Sequence, residues 1–281
     1  ILSGQGNWTL QVLDQAGAVV KTFAGSGSLV TQAWSGEDES GSKVSNGIYT
    51  LRLTATDSTG AQTMAPLVGR VVVATDGPTA IINLPQANTV LRGGDVVPVF
   101  GTAADANNFV SYRVEYGAGA VPTYWYVITS PYDVTTPVVD ARLATWNTAS
   151  LTDSTYTLRL TARDATHPPA TALVTVKLMT ILNVLLSRQY FSPNGDGLAD
   201  TTTLTATLTL PADWTLTFRD AGGAVVRTFS GSGTSVNQVW DGNNASGAVV
   251  PEGTYTYTLE AVDPISGVAA IPKTGTVTVD L

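Results

Sequence analysis

Apolar and polar residues alternate along most of this chain. In residues 8–13, Trp8, Leu10 and Val12 fall on one side of an extended backbone, the period of a half-buried strand. Tyr49, Leu51 and Leu53 alternate with Thr50 and Arg52 in the same way, and Thr202–Leu210 is strand-like as well. No window sustains the roughly 3.6-residue period of an amphipathic helix. Asp14-Gln15-Ala16-Gly17 and Asp220-Ala221-Gly222-Gly223 read as turns, because Asp can bond the backbone ahead of it and Gly supplies positive φ. With Ala18–Phe23 following, residues 8–23 are expected to form a hairpin. Ser45-Asn46-Gly47 and Pro251-Glu252-Gly253 form a second kind of turn, with Gly at the place that calls for a left-handed residue.

These patterns occur twice, 206 residues apart. Trp8-Thr9-Leu10 matches Trp214-Thr215-Leu216, and Gly17–Phe23 matches Gly223–Phe229 with Lys21 against Arg227. Gly25-Ser26-Gly27 matches Gly231-Ser232-Gly233, and Trp34-Ser35-Gly36 matches Trp240-Asp241-Gly242. Of the 50 positions from 8 to 57, 26 are identical to their partners, so two copies of one unit are present. Between them lies a different unit with strands expected over 78–82, 96–101, 109–116 and 124–128. Its last part, Tyr156–Asp164, echoes Tyr49–Asp57. Short strands separated by turns every roughly 8–12 residues suggest β-sandwiches. The expected arrangement is three in a row, residues 1–77, 78–178 and 179–281, joined at Asp76-Gly77-Pro78 and Lys177–Arg188. Those junctions are short and contain little Ser or Gly, which favours a stiff connection.

Composition agrees and narrows the chemistry. The 281 residues include 42 Thr but only 4 Lys and 5 Glu, a β-rich and helix-poor balance. Only 13% of residues are charged against 43% hydrophobic, which argues against disorder. The net charge of −8 argues against a nucleic-acid partner. The absence of Cys excludes a disulfide scaffold, thiolate metal sites and cysteine catalysis, and a single His argues against His-rich zinc sites and most His-based acid–base machinery. The apolar run Leu178–Leu186 is too short to span a bilayer, and Ile1-Leu2-Ser3-Gly4 does not read as a signal peptide. The chain does not begin with Met and is read as a piece of a longer protein.

The two copies resemble the Ig-like domain of the flagellar hook-capping protein family. The residues that carry the resemblance are the Asp-x-x-Gly turn, Val-Val-Lys/Arg-Thr-Phe, Trp-x-Gly and Gly-x-Tyr-Thr. Phe191-Ser192-Pro193-Asn194-Gly195-Asp196-Gly197, followed by Asp200-Thr201, is similar to an opening segment common in surface and secreted bacterial proteins. The middle unit resembles bacterial Ig-like or fibronectin III-like repeats found beside such domains. The resemblance implies an all-β, non-catalytic array from an exported bacterial protein, extracellular or on the cell surface. Its role would be to space, display or assemble other parts. The partners implied are neighbouring domains of the same polypeptide or identical subunits. The third unit has 24 residues from Tyr190 to Asp213 ahead of Trp214, against seven ahead of Trp8. The first unit is therefore expected to lack its opening strand, through truncation of a longer chain or through donation by another subunit.

Candidate chemistry is sparse. Asn194, Asp196 and Asp200 place oxygens at intervals resembling part of a Ca²⁺ loop; the alternative is a rigid Asx/Gly turn. No other cofactor is implied. Tyr124, Trp125 and Tyr126, with Tyr112 and Tyr116 nearby, form the densest aromatic patch. In a strand, Tyr124 and Tyr126 would share a face that could stack on a cell-surface glycan, making the chain a carbohydrate-binding module. The favoured reading is a Trp125 in the core with tyrosines covering the sheet. A third alternative is a subunit of a filament or cap built by strand complementation. Trp34, Tyr49, Trp146, Tyr156, Trp240 and Tyr255 are expected in the cores, the tyrosines bonding backbone across a loop. Gly25-x-Gly27 and Gly231-x-Gly233 lack the third Gly and the helix of a nucleotide loop. His167 is expected on the surface. Asn7-Trp8-Thr9 and Asn244-Ala245-Ser246 fit the glycosylation sequon, and no carboxylate pair stands out for glycoside chemistry.

Overall fold

A computed structural model describes residues 5–57, 59–61 and 65–281 of the chain. Residues 1–4, on which the reading of the leader falls, lie outside that set. Among the described residues there are strands and turns and no helix. By contact the chain divides into two units. One is Ile1–Thr79 with Ala104–Ser111 and Ala162–Ala170; the other is Ala80–Ala103, Tyr112–Thr161 and Thr171–Leu281.

The first sheet contains β1 (Gly6–Leu13), β2 (Val19–Gly27), β3 (Gly47–Thr56) and β4 (Leu67–Val73), all antiparallel, in the order β2-β1-β3-β4. The β1–β2 hairpin turns where expected. The amide of Ala18 donates to Asp14 Oδ1 at 2.8 Å, and Gly17 takes a φ of 84°. The twin turn repeats this with Asp220 Oδ1 and a Gly223 φ of 82°.

The middle segment supplies β5 (Thr79–Leu84), β6 (Val90–Arg92), β7 (Val96–Ala104), β8 (Phe109–Ala118), β9 (Tyr126–Val127), β10 (Val138–Asn147), β11 (Thr155–Asp164) and β12 (Ala170–Met179). They form two sheets, β10-β7-β5 and β6-β12-β11-β8-β9. Trp146 of β10 packs between Tyr116 of β8 and Tyr156 of β11, so the sheets meet face to face. The expected strand over 124–128 shrinks to Tyr126–Val127, because only these two residues pair with Glu115 and Tyr116.

The last segment contains β13 (Ile181–Leu186), β14 (Tyr190–Phe191), β15 (Thr202–Arg219), β16 (Val225–Trp240), β17 (Gly253–Val262) and β18 (Lys273–Val279). The expected strand at 202–210 and the Trp214 strand are one element of 18 residues. Every even-numbered residue of β15 from Thr202 to Phe218 is buried. The β15–β16 register breaks between Thr207 and Ala212, where Pro211 lies exposed. A bulge there bends the long hairpin while the alternation carries through, so both halves turn the same face inward. Thr202–Thr207 pairs with Ser235–Trp240 and Leu204–Leu208 with β13; Ala212–Arg219 pairs with the first half of β16, and Asp213–Arg219 with β17. One hairpin thus contributes to both layers, and Leu216, Leu259, Val277 and Val279 are fully buried between them.

The first sheet has only one of these layers among the described residues. Its Leu10, Leu53, Val71 and Val73 occupy the places of Leu216, Leu259, Val277 and Val279, yet all four are only half-buried. Trp34 also departs from the core expectation. It is half-buried, whereas Trp240 is 1% exposed beneath the rings of Phe191 and Phe218. The place of Phe218 is taken by Val12, and among the described residues no aromatic ring other than Tyr49 lies against Trp34.

The Lys177–Arg188 junction is mostly strand, β12 ending at Met179 and β13 running from Ile181 to Leu186. Thr180 alone separates β12 from β13. Thr209 secures it: the Thr180 amide donates to Thr209 Oγ1 at 2.8 Å, and that hydroxyl donates to the Leu178 carbonyl at 2.6 Å.

Candidate functional site

The six structural aromatics form three equivalent pairs. Trp34–Tyr49, Trp146–Tyr156 and Trp240–Tyr255 each meet edge-on, with centroids 5.3, 5.7 and 5.5 Å apart. Tyr49 Oη donates to the Ser45 carbonyl at 2.8 Å, and Tyr255 Oη to the Pro251 carbonyl at 2.7 Å. Each phenol ties its strand to the turn four residues earlier, and burial pushes both up from the usual tyrosine range. Tyr156 does it differently: its oxygen accepts from the amides of Thr152 and Asp153. The Trp34 and Trp240 indoles donate to the carbonyls of Glu37 and Asn243. Burial and geometry make these groups parts of the frame.

The Gly-x-Gly pairs also have structural work. Gly25 stands directly across from Trp8, and Gly231 across from Trp214. In both copies a Cβ on that glycine would collide with the indole.

The aromatic patch does not assemble into one platform. Tyr124 is 77% exposed and stands alone. The Tyr126 ring stacks on Tyr116 at 5.3 Å. Trp125 is outside the core, against the outer face of the sheet, with the Arg159 guanidinium 4.0 Å from its centroid. This departs from the expected core Trp125 because the 119–125 segment is loop rather than strand.

Around Trp125 lies an arrangement that the sequence did not single out. Arg159 Nε donates to Glu115 Oε2 at 2.9 Å. Arg113 donates to both oxygens of Asp133, at 3.0 and 2.9 Å, and covers the Tyr132 ring at 3.7 Å. The result is a ladder: Trp125, Arg159, Glu115, Arg113 and Tyr132. Each cation–aromatic stack of this kind contributes about 0.5–2 kcal/mol. Arg113 and Glu115 were visible as alternate charged residues in one strand. Their partners depend on how β8, β11 and the 119–134 segment come together. The charges of Arg113, Glu115, Asp133 and Arg159 satisfy one another.

The Asn194–Asp200 loop is closed on itself. Asp200 accepts the Gly195 amide on Oδ1 at 2.8 Å and the Gly197 amide on Oδ2 at 2.9 Å. Asn194 Oδ1 accepts from the Asp196 amide and Asp196 Oδ1 from the Leu198 amide. These are Asx turns. Among the described residues no group of three or more His, Cys, Asp or Glu side chains is placed to hold a metal ion. His167 is half-buried rather than a free surface residue, with Nδ1 2.6 Å from Asp164 Oδ2. Thr166 Oγ1 lies 3.0 Å from the same nitrogen, so the ring does not relay between carboxylate and hydroxyl. No described helix is long and apolar enough to cross a membrane.

Comparison with known proteins adds the following. The FlgD Ig-like domain matches residues 3–59 and 193–264. Among solved structures, a tetra-tandem repeat from the extending region of a large adhesion protein aligns over 99% of this chain and 68% of its own, at 19% identity and TM-score 0.37. Dpr2 Ig1-Ig2 in complex with DIP-Theta Ig1-Ig3 aligns over 99% and 94%, at 10% identity and TM-score 0.38. Fibronectin(III)-like modules of Clostridium thermocellum CbhA align over 71% and 93%, at 16% identity and TM-score 0.26. No curated protein matches the chain.

Proposed function

We propose that this chain, which carries two FlgD-type Ig-like domains on either side of a third β-rich module, is a non-catalytic structural segment of a larger exported bacterial protein. It holds other parts of that protein at fixed spacing at or beyond the cell surface. The modules are residues 1–77, 78–178 and 179–281. The observation that carries this reading is the join between the second and third modules. β12 runs into β13 with only Thr180 between them, and Thr209 bonds the Thr180 amide and carbonyl and the Leu178 carbonyl. Ile271 lies beside Gly94, and Val90 packs against the core of the third module. A strand that passes directly from one sheet into the next transmits position without a hinge, unlike a Gly/Ser linker.

Support also comes from the side chains. The charges of Arg113, Glu115, Asp133 and Arg159 on the middle module's outer face pair with one another, Trp125 and Tyr132 lie under arginines, and Tyr126 stacks on Tyr116. Such a surface is suited to persistence rather than turnover.

The test uses the absence of native Cys. Val139→Cys and Ile265→Cys, both at exposed positions, admit one spin label in each of the two modules. Pulsed electron resonance should give a narrow distance distribution. A broad one, as from a flexible linker, would overturn the spacer reading.

A further inference from the structure

The middle and third modules share material where they join. Met179 ends β12, yet it is fully buried in the core of the third module, in one cluster with Ile181, Leu208 and Leu259. β6 runs parallel to residues 177–179, and its Val90 packs against that same core. Side chains of the middle module thus help to close the core of its neighbour. Opening either module would leave Met179 and Val90 facing water, a loss proportional to the apolar area exposed. Contacts of this kind between neighbouring units make their stabilities interdependent.

A corner of backbone holds this contact together. The Gly93 amide donates to the Met179 carbonyl at 2.9 Å, and the Thr180 hydroxyl takes the space a Gly93 Cβ would need. Gly94 has a φ of 101°, which suits glycine, and Ile271 of the third module takes the space of its Cβ. The Gly94 amide donates to Thr148 Oγ1 at 3.0 Å, and that hydroxyl donates to the Asp95 carbonyl at 2.7 Å. Thr148 is fully buried and directly follows β10. Two glycines therefore bring together the end of β6, the end of β10, the β12–β13 link and the segment before β18. A side chain on either would have to displace Thr180 or Ile271. We propose that the middle and third modules fold and unfold as one cooperative unit, with the Gly93–Gly94 corner as its lock. This coupling goes beyond the spacer role, because two modules that unfold independently can still be joined stiffly.

The test is residue-resolved hydrogen exchange in the full chain, under conditions where exchange follows the opening equilibrium. It is read at the most protected amides of residues 156–160 in β11 and 255–259 in β17. Leu216→Ala removes a fully buried side chain of the third module. It should speed exchange in β17 by about a hundredfold or more, and in β11 by the same factor. Leu158→Ala, in the core of the middle module, should act equally on both strands in the same way. Val277→Ala is the milder substitution if Leu216→Ala does not fold, and again the two strands should respond alike. Acceleration in β17 with unchanged exchange in β11 would overturn the proposal. In a Gly93→Ala background, Leu216→Ala should speed exchange in β17 and leave β11 as it was. Equal acceleration persisting there would overturn the corner as the lock. A narrow distance between labels at Val139→Cys and Ile265→Cys, together with independent exchange, would remove the coupling and leave the spacer reading in place.

Discussion

Trp214 stands directly across the β15–β16 pair from Gly231, and its indole occupies the space a Cβ would need. Trp8 and Gly25 repeat the relationship in the first module. The glycine is thus a packing partner of the ring. Gly231→Ala should force the buried indole or the strand to shift, destabilising the third module by about 1–3 kcal/mol. Urea unfolding measures it. A loss no greater than that of an exposed strand Gly→Ala change would show that the ring moves freely.

The unequal burial of Trp34 and Trp240 gives a second expectation. Trp240→Ala removes a fully enclosed side chain and should cost about 3–5 kcal/mol. Trp34→Ala should cost distinctly less, because part of its surface already faces solvent. Equal losses in the two modules would mean that Trp34 is covered in solution.

Acid should act through Asp263. This buried carboxylate accepts from the Ser266 amide and hydroxyl and from the Ile265 amide, and these bonds hold it below the ordinary carboxylate range. A group depressed in the folded state contributes stability that is complete above its unfolded pKa. That contribution disappears as pH falls through the folded value. Asp263→Asn keeps an acceptor without the charge. The stability gap between the two proteins should therefore be widest near neutrality and close as the solution is acidified below the carboxylate range. Denaturant titrations at a series of pH values follow it; a pH-independent gap would assign the difference to shape instead.

Calcium should leave the melting transition where it is. The oxygens of Asn194, Asp196 and Asp200 already accept amides of their own loop, and a cation would have to break those turns to gather them. Differential scanning calorimetry with and without millimolar Ca²⁺ decides this, and an upward shift would restore the calcium-loop reading.

The alternation in residues 8–13, 49–53 and 202–210 sufficed to place strands, because side-chain direction in an extended chain repeats every second residue. The hairpin turns were equally legible from Asp14 and Gly17, whose bonding is local. Pro211 hid the continuity of β15, since a proline inside a strand pattern ordinarily marks its end; here it lies at the bend between two layers. The ladder on the middle module was not legible. Arg159 and Glu115 are 44 residues apart, and only strand pairing makes them neighbours.

By itself the sequence determined the class, the repeat, the turns and the Trp and Tyr that each module uses. These follow from local stereochemistry and from identities that repeat along the chain. Tertiary structure alone decided which copies of a residue are enclosed. Trp34 and Trp240 sit in the same local sequence, but burial depends on the layer packed above. For Trp240 that layer brings the rings of Phe191 and Phe218; over Trp34 the place of Phe218 is held by the smaller Val12, and no described residue holds that of Phe191.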